Sequence, residues 1–279
     1  MNINKDSLAA RINNISKEKG VFANVLYSRY FFDCFLFRLS MSNYCNKFIL
    51  KGGWYLSSIL GIDNRATIDI DFLVKKVKME QTNIIKIIKD ICNTPCDDKV
   101  TFKYVGISNI KKDDIYGGFS ITIEGRIENV HQQFDIDLAT GDDIFPSECN
   151  YEYECLITHE KIQLKGYSIE SVISEKLQTF LDRGILNSRS KDLYDLYILL
   201  KLKVNENNIP ILKNAFIKTC KQRNFEIRKD EAISILNEIS KNDMQIKRWN
   251  AYTKKAKYAQ GINFEEIIDS IKVLLNIVM

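Results

Sequence analysis

Apolar residues recur at helical spacing near the start of the chain. Leu8, Ile12 and Ile15 are followed by the denser set Tyr30, Phe31, Cys34, Phe35, Phe37 and Leu39, which predicts helices within residues 5–45. Beyond residue 46 the period shortens. Runs at 47–50, 67–75, 100–108, 117–127, 130–139 and 161–166 read as strands, with one helical stretch near 80–92 between them. From residue 169 the helical period returns and continues almost to the end, broken at Asn187-Ser188, from Asn205 to Pro210, from Asn224 to Arg228, and at Gly261-Ile262-Asn263. The pattern predicts an α+β fold in two lobes. Residues 1–166 would form a sheet buttressed by the N-terminal helices, and residues 167–279 a helical C-terminal lobe, with the functional site expected in the cleft between them.

One strand carries unusual chemistry. In Arg65-Ala66-Thr67-Ile68-Asp69-Ile70-Asp71-Phe72-Leu73-Val74, the two-residue period puts Asp69 and Asp71 on one face and Ile68, Ile70 and Phe72 on the other. Adjacent carboxylates repel each other unless a cation lies between them. A hard divalent ion with oxygen ligands, Mg²⁺ or Mn²⁺, satisfies that requirement. Upstream, Lys51-Gly52-Gly53-Trp54-Tyr55-Leu56 opens a predicted helix. Its glycine pair permits close backbone approach where free N–H groups and the helix dipole favour a phosphate. Asp-x-Asp taken alone describes an exposed alternating strand edge equally well.

The compound pattern is more specific. Lys51-Gly52-Gly53, a helix of about two turns, Arg65-x-Thr67 and Asp69-x-Asp71-Phe72, in that order, resembles the nucleotidyltransferase core of the DNA polymerase β superfamily. Within it the chain is most similar to the AbiEii/AbiGii-type toxins of abortive-infection and toxin–antitoxin systems. The resemblance implies a polymerase-β-like core sheet with flanking helices. It also implies that Lys51, Gly52, Gly53, Arg65 and Thr67 bind a nucleotide and that Asp69 and Asp71 bind metal.

Two later blocks extend the likeness. The run Phe134-Asp135-Ile136-Asp137-Leu138-Ala139-Thr140-Gly141-Asp142 resembles the strand on which the family places its third metal-site carboxylate. Asp137 matches by register, and Asp135, on the same face, is the alternative. The segments Ile169–Arg183 and Arg189–Tyr197 resemble the family's Glu-Lys-Leu helix and the Lys-Asp-Leu-x-Asp-Leu helix that follows it. By that likeness Lys176 contacts the triphosphate or balances transition-state charge, and Arg183 contacts the nucleotide. Asp192 or Asp195 would fix a basic residue or lie near the nucleotide. From periodicity alone, Glu175, Lys176 and Arg183 lie off the apolar stripe of Val172, Ile173, Leu177, Phe180 and Leu181, which also describes a solvated helix face. Trp54 departs from the superfamily, where a small residue usually follows the glycine; it either stacks on a base or packs at the helix start.

Composition narrows the alternatives. The chain has 279 residues and 45% hydrophobic content, with only 3 Pro and 12 Gly, and holds no repeat or low-complexity linker. Its seven cysteines form no Cys-x-x-Cys, and the histidines are only His131 and His159, so a zinc site or a Cys–His nucleophile lacks material. His159 reads as a surface-loop residue. With no signal-peptide core behind Met1 and no apolar run of spanning length, a reduced, cytoplasmic protein without a membrane association is expected.

Net charge is +4, too small to announce nucleic acid by itself. Basic and aromatic residues interleave from Lys247 to Tyr258, where Trp249, Tyr252, Ala256 and Ala259 share one stripe of a predicted helix. The aromatics would pack inward, and the lysines would face water or a phosphate backbone. The resemblance implies a Mg²⁺-dependent toxin that moves an NMP from an NTP to an acceptor hydroxyl, suggests the 3′ end of tRNA as acceptor, and implies a cognate antitoxin. Transfer to a protein hydroxyl, or a non-catalytic nucleotide-binding module, are the alternatives. The full set Asp69, Asp71 and Asp137 argues against the second.

Overall fold

The structure is a computed structural model that describes residues 3–61, 70–110 and 117–279. Its contacts divide the chain into two compact units, Met1–Asp142 with Cys149–Gly166, and Asp143–Glu148 with Tyr167–Met279. The first unit holds helices α1 (Lys5–Lys19), α2 (Ala23–Met41), α3 (Gly52–Leu60) and α4 (Gln81–Cys92). Its strands are β1 (Phe48–Lys51), β2 (Asp71–Val74), β3 (Thr101–Ile110), β4 (Gly118–Ile127), β5 (Val130–Ala139), β6 (Cys149–Glu154) and β7 (Lys161–Gly166). They form a mixed seven-stranded sheet in the order β3-β4-β5-β2-β1-β7-β6. The fold is the expected mixture of sheet and helix.

Helix α2 anchors the core. Its residues from Tyr30 to Leu36 are all buried, so it carries apolar contacts around its whole circumference. The Phe32 ring lies 4.6 Å from Trp54, 6.1 Å from Phe134 and 6.3 Å from Phe72, tying α2 to α3, β5 and β2. Gly125 leaves room for α2 on the sheet, since a Cβ there would stand 2.6 Å from the Phe31 ring. Polar groups are buried beside these rings. Tyr153 of β6 donates its hydroxyl to Asp33, Arg29 lies 4.6 Å over the Trp54 ring, and Arg38 Nη2 donates to Asp98 Oδ1 at 2.8 Å.

Among the described residues the expected strand ends shift by no more than two residues, and one strand is unexpected. The strand expected over 67–75 is β2, Asp71–Val74; residues 67–69 of that expectation lie outside the described residues. Strand β6 was not predicted. Its Cys-Asn-Tyr-Glu-Tyr-Glu is too short and polar to stand out, and it forms by pairing with β7, with Tyr153 opposite Ile162.

The second unit is helical. It comprises α5 (Ile169–Arg183), α6 (Ser190–Lys203), α7 (Ile209–Gln222), α8 (Lys229–Ser240), α9 (Asp243–Lys255) and α10 (Phe264–Val278). Segment 143–148 belongs here because Phe145 N–H donates to Ser171 Oγ at 2.8 Å and Phe145 C=O accepts from Ser168 Oγ at 2.6 Å, at the start of α5. The basic, aromatic stretch is not one helix to Tyr258. α9 ends at Lys255, Trp249 is fully buried with its N–H on Ile262 C=O at 3.0 Å, and Lys254, Lys255 and Lys257 are exposed.

Candidate active site

Four side chains line up across the sheet. Lys51 of β1 is the register partner of Asp71 of β2, Asp71 of Asp137 of β5, and Asp137 of Ser120 of β4. Register partners project from the same face on strands about 4.8 Å apart. At this end of the sheet that face is open, and all four residues are half-buried. The opposite face is closed, with Phe72, Ile136 and Leu138 no more than 1% exposed. Asp71 and Asp137 are therefore neighbouring carboxylates, and the strand pairing holds them so: Asp137 N–H donates to Ile70 C=O at 2.8 Å.

Of the two candidates on β5, Asp137 faces Asp71. Asp135 is aligned with Thr122, whose Oγ1 donates to it at 2.5 Å. Gly52 completes the local geometry. Its φ is +69°, and a Cβ built on it would stand 2.0 Å from Asp71 Oδ2, so the carboxylate rests against the first residue of α3 in space only glycine leaves open. Lys51 Nζ reaches Asp142 Oδ2 at 2.6 Å. The sequence pattern assigns Asp142 no role of its own. Its visible signal is its place immediately after Gly141, whose φ is +94°, just past the end of β5.

These residues fit a divalent cation. Two carboxylates sit in register on one face, and oxygen is the donor type hard cations take. Among the described residues no group of three or more His, Cys, Asp or Glu side chains is placed to hold a metal. Asp69, Arg65 and Thr67 lie outside the described residues. Trp54 is packed at the helix start: it is 3% exposed, between the Phe32 ring and the Arg29 guanidinium.

The second unit gathers the other block into an ion triad. The Lys176 ammonium of α5 meets the Asp192 carboxylate and lies 3.0 Å from Asp195 Oδ2, both on α6. Asp192 and Asp195 thus both hold the lysine. Burial opposes charge here, but Asp195 and Asp192 outweigh it and raise the Lys176 pKa above its ordinary value. Burial also opposes ionisation of Asp192, yet Lys176, helped by Arg189 and Lys191, lowers its pKa below the usual carboxylate range. Glu175 accepts from the Tyr167 hydroxyl and pairs with Arg223 at 3.4 Å. The polar side of α5 is therefore not the solvated face that periodicity allowed. Arg183 is half-buried at the end of α5.

Among the described residues no helix is long and apolar enough to cross a membrane. All seven cysteines are free. His159 sits exposed in the turn between β6 and β7, with Nδ1 3.0 Å from Glu154 Oε1.

Comparison with known proteins adds the family. Residues 34–270 match the family model described as nucleotidyl transferase AbiEii toxin, type IV toxin–antitoxin system. Two solved structures from H. pylori share the fold. One is a proposed nucleotidyltransferase, 19% identical with a TM-score of 0.52, covering 92% of this chain and 96% of that one. The other is JHP933, 19% identical with a TM-score of 0.51, covering 91% of both chains. No curated protein matches the chain. With the family model spanning most of the sequence, including both acidic strands and the α5–α6 block, the chain belongs to the AbiEii nucleotidyltransferase toxins of type IV toxin–antitoxin systems.

Proposed function

We propose that the protein is a divalent-metal-dependent nucleotidyltransferase that moves an NMP from an NTP to a hydroxyl at the 3′ end of an RNA, tRNA in particular. The observation that carries this reading is the register pairing of Asp71 with Asp137 beside Gly52. Asp71 and Asp137, with Asp69, would hold Mg²⁺ or Mn²⁺. When bound, such an ion neutralises phosphate charge and polarises the α-phosphorus.

The chain's own residues do the rest. Gly52 and Gly53 present backbone N–H groups at the start of α3, where a phosphate is favoured. Lys51 lies in the same row, its charge oriented by Asp142. Asp137 orients the acceptor hydroxyl and takes its proton as the oxygen bonds to the α-phosphorus. The bond from that phosphorus to the bridging oxygen breaks, and pyrophosphate leaves with the electron pair. Positioning and charge neutralisation supply the rate, with no covalent enzyme intermediate. In the second unit the reading gives Lys176, held by Asp192, a charge-balancing role on the triphosphate, and Arg65, Thr67 and Arg183 contacts to the nucleotide.

Membership of a toxin–antitoxin family implies a cognate antitoxin. The site would operate in the cytoplasm, where NTPs and RNA are present. The test is incubation with each labelled NTP together with total RNA and total protein, with and without Mg²⁺. Metal-dependent label on RNA is expected. Label on protein alone would replace the acceptor with a Ser, Thr or Tyr hydroxyl, and label on neither would leave a nucleotide-binding module.

A further inference from the structure

Within the first unit, a cavity of about 420 Å³ lies among the start of α2, Trp54 of α3 and β5. Asp137 and Asp135 stand at one side of it, so it adjoins the proposed metal-binding row. Among the described residues the remaining polar wall is uncharged: Asn24, Ser28, Ser120, Gln132 and Gln133 contribute amides and hydroxyls, with no Lys or Arg in the lining. Trp54 and Phe134 supply aromatic surface. The Trp54 indole N–H is buried and has no hydrogen-bond partner among the described residues.

This chemistry selects its ligand. The phosphate-favouring groups, the α3 N-terminus at Gly52 and the Lys51 ammonium, are not among the residues that line this space, so the triphosphate belongs with them and not here. Side-chain amides each offer donors and an acceptor, matching the mixed edge of a nucleobase, and aromatic walls suit its flat apolar faces. The volume falls in the range of sites that enclose a small organic group. A serine or tyrosine side chain of a protein would use few of these groups.

We propose that this cavity receives the nucleobase of the acceptor's terminal nucleoside, with its hydroxyl-bearing sugar toward Asp137. The proposal rests on the transferase reading above and adds where the acceptor is recognised. It also makes Asn24, Ser28 and Gln133 acceptor-selecting residues distinct from those that hold the NTP.

Two measurements test it. The first is free of catalysis: phosphate-free adenosine and cytidine are titrated into the full chain while tryptophan emission is followed. Trp54 lines the cavity, and Trp249, the other tryptophan, is fully buried in the second unit and serves as constant background. At least one nucleoside should change the emission, and Ser28→Phe, which fills the cavity, should remove that change. The second is steady-state transfer by Ser28→Phe and by Gln133→Ala, the latter a substitution at an exposed position that leaves folding intact. Both should raise KM for the RNA acceptor, Ser28→Phe by about tenfold or more, with KM for the NTP within about twofold of wild type.

A rise in NTP KM instead would assign the cavity to the base of the donor and overturn the proposal. Unchanged KM values and no nucleoside response would overturn it outright, as would a raised KM for a protein acceptor. Absence of transfer to RNA by the wild type refutes the RNA-acceptor reading above, whereas the nucleoside titration still reports on the cavity, so the two failures are separable.

Discussion

Replacing Asp71 by Asn keeps the side-chain shape but removes one of two facing negative charges. Asp71→Asn should abolish nucleotide transfer while leaving the melting temperature unchanged or slightly higher in the absence of metal, because repulsion from Asp137 is relieved. Near-normal transfer by this variant would sink the metal-clamp reading. Gly52 makes a different demand. An alanine there meets both a left-handed backbone, at a cost of about 1–3 kcal/mol, and a Cβ 2.0 Å from the Asp71 carboxylate. Gly52→Ala should therefore lower stability and displace Asp71, reducing transfer far more than Gly53→Ala, whose residue is not among the positive-φ glycines. Denaturant midpoints and initial rates of the two variants check this directly.

At the scale of elements, the Lys176 triad joins α5 to α6. Lys176→Ala would leave two carboxylates in partial or full burial without their cation, and removing one member of such a group costs about 3–5 kcal/mol. A large fall in melting temperature is expected, against little change for Lys272→Ala, an exposed lysine of α10. Combining Lys176→Met with Asp192→Asn and Asp195→Asn removes every charge together and should restore much of the stability. Transfer that stays lost in this refolded triple variant marks Lys176 as part of the site, and transfer that returns marks the triad as scaffold.

The triad also has a pH signature. Asp192 has its pKa lowered in the fold, so its contribution is present above the ordinary carboxylate pKa and is lost as pH falls through the lowered value. Lys176 has its pKa raised, so its contribution is lost only as pH rises through the raised value. The stability gap between wild type and the triple variant should therefore narrow in acid. The α2–β6 contact behaves oppositely. Burial pushes the Asp33 carboxyl up to about 7, against the pull of Arg29 and the Tyr153 hydroxyl. A raised acid binds a proton in the fold that the unfolded chain has released, so its effect is falling stability from about pH 4 to pH 7. Asp33→Asn should flatten that decline, and a wild-type-like slope in thermal melts across this range would contradict it.

For the whole molecule, toxicity is the readout. If arrest follows from transfer, expressing the wild type should stop growth, and Asp71→Asn at equal protein level should restore it. Equal arrest by both chains would assign the effect to binding or aggregation. Ser28→Phe belongs between them, impaired in acceptor use yet with its metal row intact.

The sequence by itself determined the order of elements, the change from a two-residue to a helical period near residue 169, and the type of chemistry on the acidic strands. These follow from local spacing, because side-chain direction on a strand or helix depends only on position along it. It left Asp135 against Asp137 open, since both lie on one face of one strand. Only the parallel pairing of β5 with β2 sets which stands opposite Asp71. The same holds for Lys176, where periodicity cannot tell a solvated face from one covered by a neighbouring helix, and α6 supplied the two carboxylates that cover it. The Lys51–Asp142 pair and the cavity beside Asp137 likewise join residues distant in the chain, and those meetings exist only once the sheet has formed, whereas strand β6 is a local hairpin with β7 that its polar sequence hides.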